Sequence, residues 1–180
     1  MLKVISLFAG PGAGKSTTAA ALFNLMKRER YAVELVTEVA KDLTYERNVR
    51  LGDQLFVLVE QNWRLQRLEG QGVEWVVTDS PIPLSLIYAK PGDADWLEEI
   101  VDVLWDRYDN YPVRLQRTNK AYQTYGRSQT LDEARALDLQ IAELATDFKA
   151  DWADPFDPDD PAVEYKILDA VLMEQEVTNA

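Results

Sequence analysis

The chain contains no cysteine and no histidine. Without cysteine there are no disulfides and no thiolate metal sites. Without histidine, the commonest neutral-pH general base and the commonest zinc ligand are missing as well. Any acid–base chemistry must therefore rest on carboxylates, lysines or tyrosines. Long apolar runs are also lacking, since none reaches the roughly 18 residues that cross a bilayer. The apolar opening from Met1 to Gly10 carries only Lys3 and is followed by no small-residue cleavage site, so it reads as a first strand and not as a signal peptide.

What is present is an ordinary globular composition, 180 residues with 47% hydrophobic and 28% charged side chains, enough for one domain with its own core. The net charge is −12, and a uniformly acidic surface would repel nucleic acid. The charge is uneven, however. Asn110 to Leu131 contains Arg114, Arg117, Lys120 and Arg127 and no acidic residue, whereas residues 151–180 hold nine carboxylates against Lys166 alone.

Short apolar runs alternate with helical stretches, the pattern of a parallel sheet covered by helices. Strands are expected at Lys3–Phe8, Ala32–Val36, Val73–Thr78 and Pro112–Gln116. Tyr165–Leu168 reads either as a fifth strand or as part of a helix begun at Asp160-Pro161. Helices are expected from Gly14 or Lys15 to Arg28, over Glu38–Tyr45, from an Asp53 cap to about Glu69, over Leu84–Ala89, Asp95–Asp109 and Leu131–Lys149. In the helix after Asp53, the residues Leu55, Leu58, Val59 and Trp63 form the expected apolar face. Trp96, Ile100, Val103 and Leu104 do so in the helix after Asp95. No repeat or long linker divides the chain, so residues 1–180 read as a single domain. Its basic stretch, about 117–130, is lid-like, and its acidic tail runs from about 151 to 180.

Ala9-Gly10-Pro11-Gly12-Ala13-Gly14-Lys15-Ser16 matches the Walker A pattern with Ala in place of its first Gly, between a strand and a helix as that motif requires. Glycines let successive backbone N–H groups turn toward one anion, and the helix that follows adds its positive end. Gly10, Pro11, Gly12, Ala13, Gly14, Lys15, Ser16 and Thr17 are the expected cradle for ATP. Lys15 is suited to the β- and γ-phosphates and the Ser16 hydroxyl to magnesium.

Ligands in parallel α/β sheets bind beyond the carboxyl ends of the strands. Asp79 closes the third strand, either as a second magnesium ligand or as the cap of an Asp-Ser-Pro turn. Glu38 follows the second strand, with Asp42 a helical turn later. Glu38 is either the carboxylate that accepts a proton from an attacking hydroxyl or a charge at a helix start. Gln54, Gln61 and Arg64 are suited to a nucleobase edge, or are the solvated side of their helix. Arg117, Lys120 and Arg127, with Tyr122, Tyr125 and Gly126 among them, suit a cationic lid closing over a nucleotide. They also suit a track for a nucleic-acid strand, or a solvated loop.

Phe8 to Thr18, Glu34-Leu35-Val36-Thr37-Glu38 with Lys41-Asp42, Asp53-Gln54-Leu55, Thr78-Asp79-Ser80-Pro81 and the Arg117, Lys120, Tyr122, Gly126-Arg127 series together resemble a group of bacteriophage P-loop kinases. The resemblance spans about residues 2–150. This group includes kinases acting on 5-hydroxymethyluracil in DNA. The resemblance implies a three-layer P-loop kinase-like α/β fold with about five parallel strands, and an ATP- and magnesium-dependent transfer to the hydroxymethyl group of the base. It implies Lys15, Glu38, Asp79, Arg117 and Arg127 as catalytic residues, Ser16 and Asp79 at the metal, and Asp42, Gln54, Gln61, Arg64, Lys120 and Tyr122 toward the substrate. It also implies a cytoplasmic setting in the host cell. Asp79-Ser80-Pro81 stands where many deoxynucleoside kinases carry an arginine motif. A free nucleoside or nucleotide is the alternative acceptor, and an ATP-driven switch is a third reading.

Overall fold

The computed structural model describes residues 1–118, 122, 129–150 and 152–178. Four strands, β1 (Lys3–Phe8), β2 (Val33–Val36), β3 (Trp75–Thr78) and β4 (Asp109–Arg114), form one parallel sheet in the order β2-β3-β1-β4. Their near-continuous apolar sequences follow from burial on both faces. Ile5, Leu7, Trp75 and Val77 pack with α1 (Lys15–Arg28) and α7 (Val163–Thr178). Val4 and Val76 pack on the opposite side with Leu58 of α3 (Gln54–Gln66) and with Leu97 and Val101 of α5 (Ala94–Trp105). Phe8 packs there with Ile141 and Ala145 of α6 (Leu131–Asp147). The result is three layers, helix–sheet–helix, as expected. The remaining helices are short, α2 (Val39–Tyr45) and α4 (Leu84–Ile87), and a single 3-10 turn, Val49–Gly52, leads into α3.

Of the two readings of Tyr165–Leu168 the helix is the one found, as part of α7, so the sheet has four strands and not about five. Val163, Ile167 and Val171 are buried against the α1 side of the sheet while Tyr165 and Asp169 between them are exposed, whereas a two-residue strand period would set all five on one face. The acidic tail thus supplies part of the core. Beyond the four strands, Leu115 and Phe156 form an isolated bridge that pins the Pro/Asp-rich loop to the end of β4. β4 itself begins three residues earlier than expected. Pro112 is tolerated inside it because β4 is an edge strand with a neighbour on one side only.

Two apolar faces are also corrected. In α3, Leu58 and Leu65 are buried, but Leu55, Val59 and Trp63 face solvent, Trp63 at 54% exposure. The buried face runs instead through Gln61 and Asn62, whose polar groups have partners: Asn62 Oδ1 accepts from the buried Tyr108 hydroxyl at 2.8 Å. Amides that find partners can be buried, so apolar spacing alone misplaces such a face. In α5 the core residues are Leu97 and Val101, with Ile100 and Leu104 beside them, while Val103 is exposed. Among the described residues no helix is long and apolar enough to cross a membrane.

The register of the sheet positions the site. Ser6 and Val36 both pair with Thr78, so the segments that leave β1, β2 and β3 emerge side by side. These are the glycine-rich loop, Thr37-Glu38 and Asp79.

Candidate active site

Between β1 and α1 the loop turns on Gly12 and Gly14, whose φ values of 76° and 94° lie in the left-handed region. Gly14 caps α1 and Lys15 is its first residue. Gly10 is required for space: a Cβ there would lie 2.2 Å from Asp138 Oδ1. Lys15 Nζ donates to the carbonyls of Ala9 at 2.7 Å and Gly10 at 3.2 Å, which holds the ammonium against the loop.

Asp79 is 3% exposed and accepts the Ser16 hydroxyl at Oδ2, at 2.5 Å. Its other oxygen, Oδ1, is buried with no hydrogen-bond partner among the described residues. A buried carboxylate oxygen without a partner is costly, and a cation is one way to satisfy it. Ser16 and Asp79 therefore fit magnesium, which takes oxygen ligands from one or two protein groups and completes its shell with water and phosphate oxygens. No cluster of three or more acidic residues able to hold a metal occurs among the described residues.

Glu38 is the extended residue before α2 and makes no capping bond to that helix. It lines the same cleft as Lys15, Ser16 and Asp79, a cavity of about 420 Å³. Beyond these polar groups the cleft is walled by Leu51, Val57, Leu58, Ile82, Leu84 and Tyr88, with Gln54, Gln61 and Lys41 also on its lining. Burial, then the charge of Glu38, push the Tyr88 hydroxyl up to about 12. Tyr88 therefore stands beside Glu38 as a neutral group near pH 7. Lys41, Thr44 and Tyr88 were not anticipated as cleft residues. Lys41 follows Glu38 by three residues, so helical spacing was a usable signal, but nothing local marks Tyr88.

Several anticipated residues occupy other positions. Arg117 is no loose cation: Nε donates to Asp138 Oδ2 at 2.5 Å, and Nη2 donates to Asp138 Oδ1 at 3.0 Å and to the Pro11 carbonyl at 2.8 Å. It braces the glycine-rich loop and does not line the cleft. Asp42 and Arg64 pair with each other at 2.6 Å and also stand outside the lining. The Tyr122 hydroxyl donates to the Gln129 carbonyl at 2.9 Å, and Gln129 does line the cleft. Lys120, Tyr125, Gly126 and Arg127 lie outside the described residues.

Residues 4–155 match a family described as an AAA domain. No curated protein matches the chain. Among solved structures, the deoxyadenosine kinase of M. mycoides, with dATP bound, is similar at 17% identity and a TM-score of 0.55, over 98% of this chain and 100% of that one. The APS kinase CysC of Mycobacterium tuberculosis is similar at 19% identity and a TM-score of 0.37, over 79% of this chain and 98% of that one. The first of these likenesses shows a shared fold. The family match covers most of the chain, which therefore belongs to the AAA-domain family.

Proposed function

We propose that this AAA-domain protein is an ATP- and magnesium-dependent kinase whose acceptor is the hydroxymethyl group of 5-hydroxymethyluracil in DNA. One observation carries the kinase reading. One cleft is lined together by the phosphate cradle, by the carboxylate of Glu38 and by the apolar wall of an acceptor-sized compartment. A bare ATPase needs no such compartment, whereas a planar acceptor requires one. The choice of acceptor is supported by the resemblance of the sequence motifs to phage DNA-base kinases.

In this reading the backbone N–H groups of the cradle and Lys15 hold the phosphates, and Ser16 and Asp79 hold the metal. Magnesium held there would supply positive charge to neutralise the phosphate oxygens. Glu38 takes the proton of the acceptor hydroxyl as that oxygen bonds to the γ-phosphorus and the bond to the bridging oxygen breaks, leaving ADP. Lys15 neutralises the charge that develops on the departing side. Arg117 keeps the loop in shape by its hold on Pro11. The compartment walls exclude water, which would otherwise compete as acceptor.

A duplex base must leave the stack to enter such a cleft, at a cost of a few kcal/mol. The net charge of −12 favours a second reading, a free nucleoside or nucleotide as acceptor. Labelled ATP offered with hydroxymethyluracil DNA, ordinary DNA, free nucleosides and nucleotides, or no acceptor separates the readings. Label on the modified DNA supports the first. Label on small molecules alone overturns it in favour of the second, and phosphate release without acceptor supports an ATPase.

A further inference from the structure

Gln61 is 2% exposed, yet both ends of its amide are engaged. Oε1 accepts from the Val39 N–H at 3.0 Å, and Nε2 donates to the Thr37 carbonyl at 3.4 Å. One turn further along α3, Arg64 Nη1 donates to the same Thr37 carbonyl at 3.1 Å, and Nη2 reaches Asp42 at 2.6 Å. Residues 37 and 39 flank Glu38, and Asp42 lies one turn into the helix that Glu38 precedes. Every one of these bonds grips the backbone or the helix next to the carboxylate, and none touches the carboxylate itself.

We infer that Gln61 and Arg64 are positioning residues that fix Glu38 from both sides through the backbone of Thr37 and Val39. This rests on the reading of Glu38 as proton acceptor. The Val39 N–H is one of the first-turn donors of α2 that no intrahelical carbonyl can satisfy, and Gln61 caps it from a different helix. The N-terminal end of α3, at Gln54, Val57 and Leu58, lines the acceptor compartment. One rigid helix therefore carries both the acceptor wall and the latch on the base. The amide of Gln61 is engaged inside the protein at both ends, at a position that also lines the cleft.

The test compares Gln61→Leu, Gln61→Glu, Arg64→Met and Arg64→Lys with the wild type, using ATP and whichever acceptor takes label from the wild-type enzyme. Misplacing a reacting group by about 1 Å costs on the order of a hundredfold in rate. Gln61→Leu and Arg64→Met are expected to lower kcat by roughly 10- to 100-fold while both KM values stay within about twofold. Arg64→Lys keeps one donor and restores part of the rate. Gln61→Glu keeps the acceptor for Val39 but sets a carboxylate near Glu38, so the acid limb of its pH–rate profile moves to higher pH. A raised acceptor KM at unchanged kcat in Gln61→Leu would make Gln61 a substrate contact and overturn the inference. Amide hydrogen exchange decides the matter without activity. Val39 is protected in the wild type and loses protection in Gln61→Leu while α3 keeps its own. Equal protection in both overturns the latch. A wild type that labels no acceptor overturns the kinase reading and leaves the exchange result to judge the latch.

Discussion

Arg117 and Asp138 form a two-pronged ion pair that clasps the phosphate loop, with the same Nη2 donating to Asp138 and to the Pro11 carbonyl. Arg117 follows β4 and Asp138 lies on α6, so two elements distant in sequence close on a loop that follows β1. Gly10 fits beneath them because it has no Cβ.

Gly10→Ala should force the pair apart, because the new methyl would lie 2.2 Å from Asp138 Oδ1. Weakened ATP binding and a lower unfolding free energy, by roughly 2 kcal/mol or more, are expected. Asp138→Ala relieves the clash but leaves Arg117 without its carboxylate. The double variant should therefore lose less than the sum of the single losses, as read by urea unfolding. Full additivity would separate Gly10 from the clasp.

Lys15→Ala is expected to abolish transfer. Glu38→Gln should keep ATP affinity, measured by equilibrium binding, and lose about two to four orders of magnitude in rate. Asp42 is paired with Arg64 outside the cleft. An unchanged rate in Glu38→Gln would thus move the proton-accepting role to Asp79.

Asp79→Asn removes the charge from the buried oxygen that has no hydrogen-bond partner among the described residues. Roughly a tenfold or greater rise in the magnesium concentration needed for half-maximal activity is expected. ATP binding in chelator should change little. A loss of binding that does not depend on magnesium would assign Asp79 to the loop alone.

Burial pushes the Tyr108 hydroxyl up to about 12 from its ordinary 10. A group whose folded value is raised contributes stability in full below the unfolded value and loses it as pH climbs through the folded one. The urea midpoint should therefore fall between pH 10 and 12. Tyr108→Phe starts lower, because Asn62 loses its partner, but should show a shallower alkaline decline. Parallel declines would remove Tyr108 from the alkaline transition.

Ile167→Ala, at a fully buried position in the acidic tail, should cost about 2 to 5 kcal/mol in thermal or urea unfolding. A near-neutral effect would mean that α7 adds nothing to the fold.

Much of the fold was legible because its signals are local. The glycines before Lys15 announce the cradle, and the capping box at Thr130 and Glu133 starts α6 where its sequence suggests. The buried faces of α3 and α5 were harder. Asn62 and Gln61 are buried because Tyr108 and the Val39 N–H meet them there, and both partners come from elsewhere in the chain. The choice between strand and helix at Tyr165–Leu168 stayed open in the sequence for a related reason. Tyr165–Leu168 is short and apolar enough for a strand, and the buried spacing through Val171 that settles it as helix extends past that window.

At the site, residue chemistry alone pointed to the cradle and to carboxylates as the proton-handling groups, since the chain has no histidine or cysteine. Those conclusions need only which residue types are present and their short-range spacing. The tertiary structure decided which groups share a cleft. Strand register set Asp79 against Ser16, and the packing of α3 on α2 turned Gln61 and Arg64 toward the backbone beside Glu38. The pairing with Asp138 made Arg117 a brace. Each of those roles depends on a partner distant in the chain, as the separations of 21, 22, 63 and 106 residues between hydrogen-bonded groups show, and local sequence carries no record of such distances.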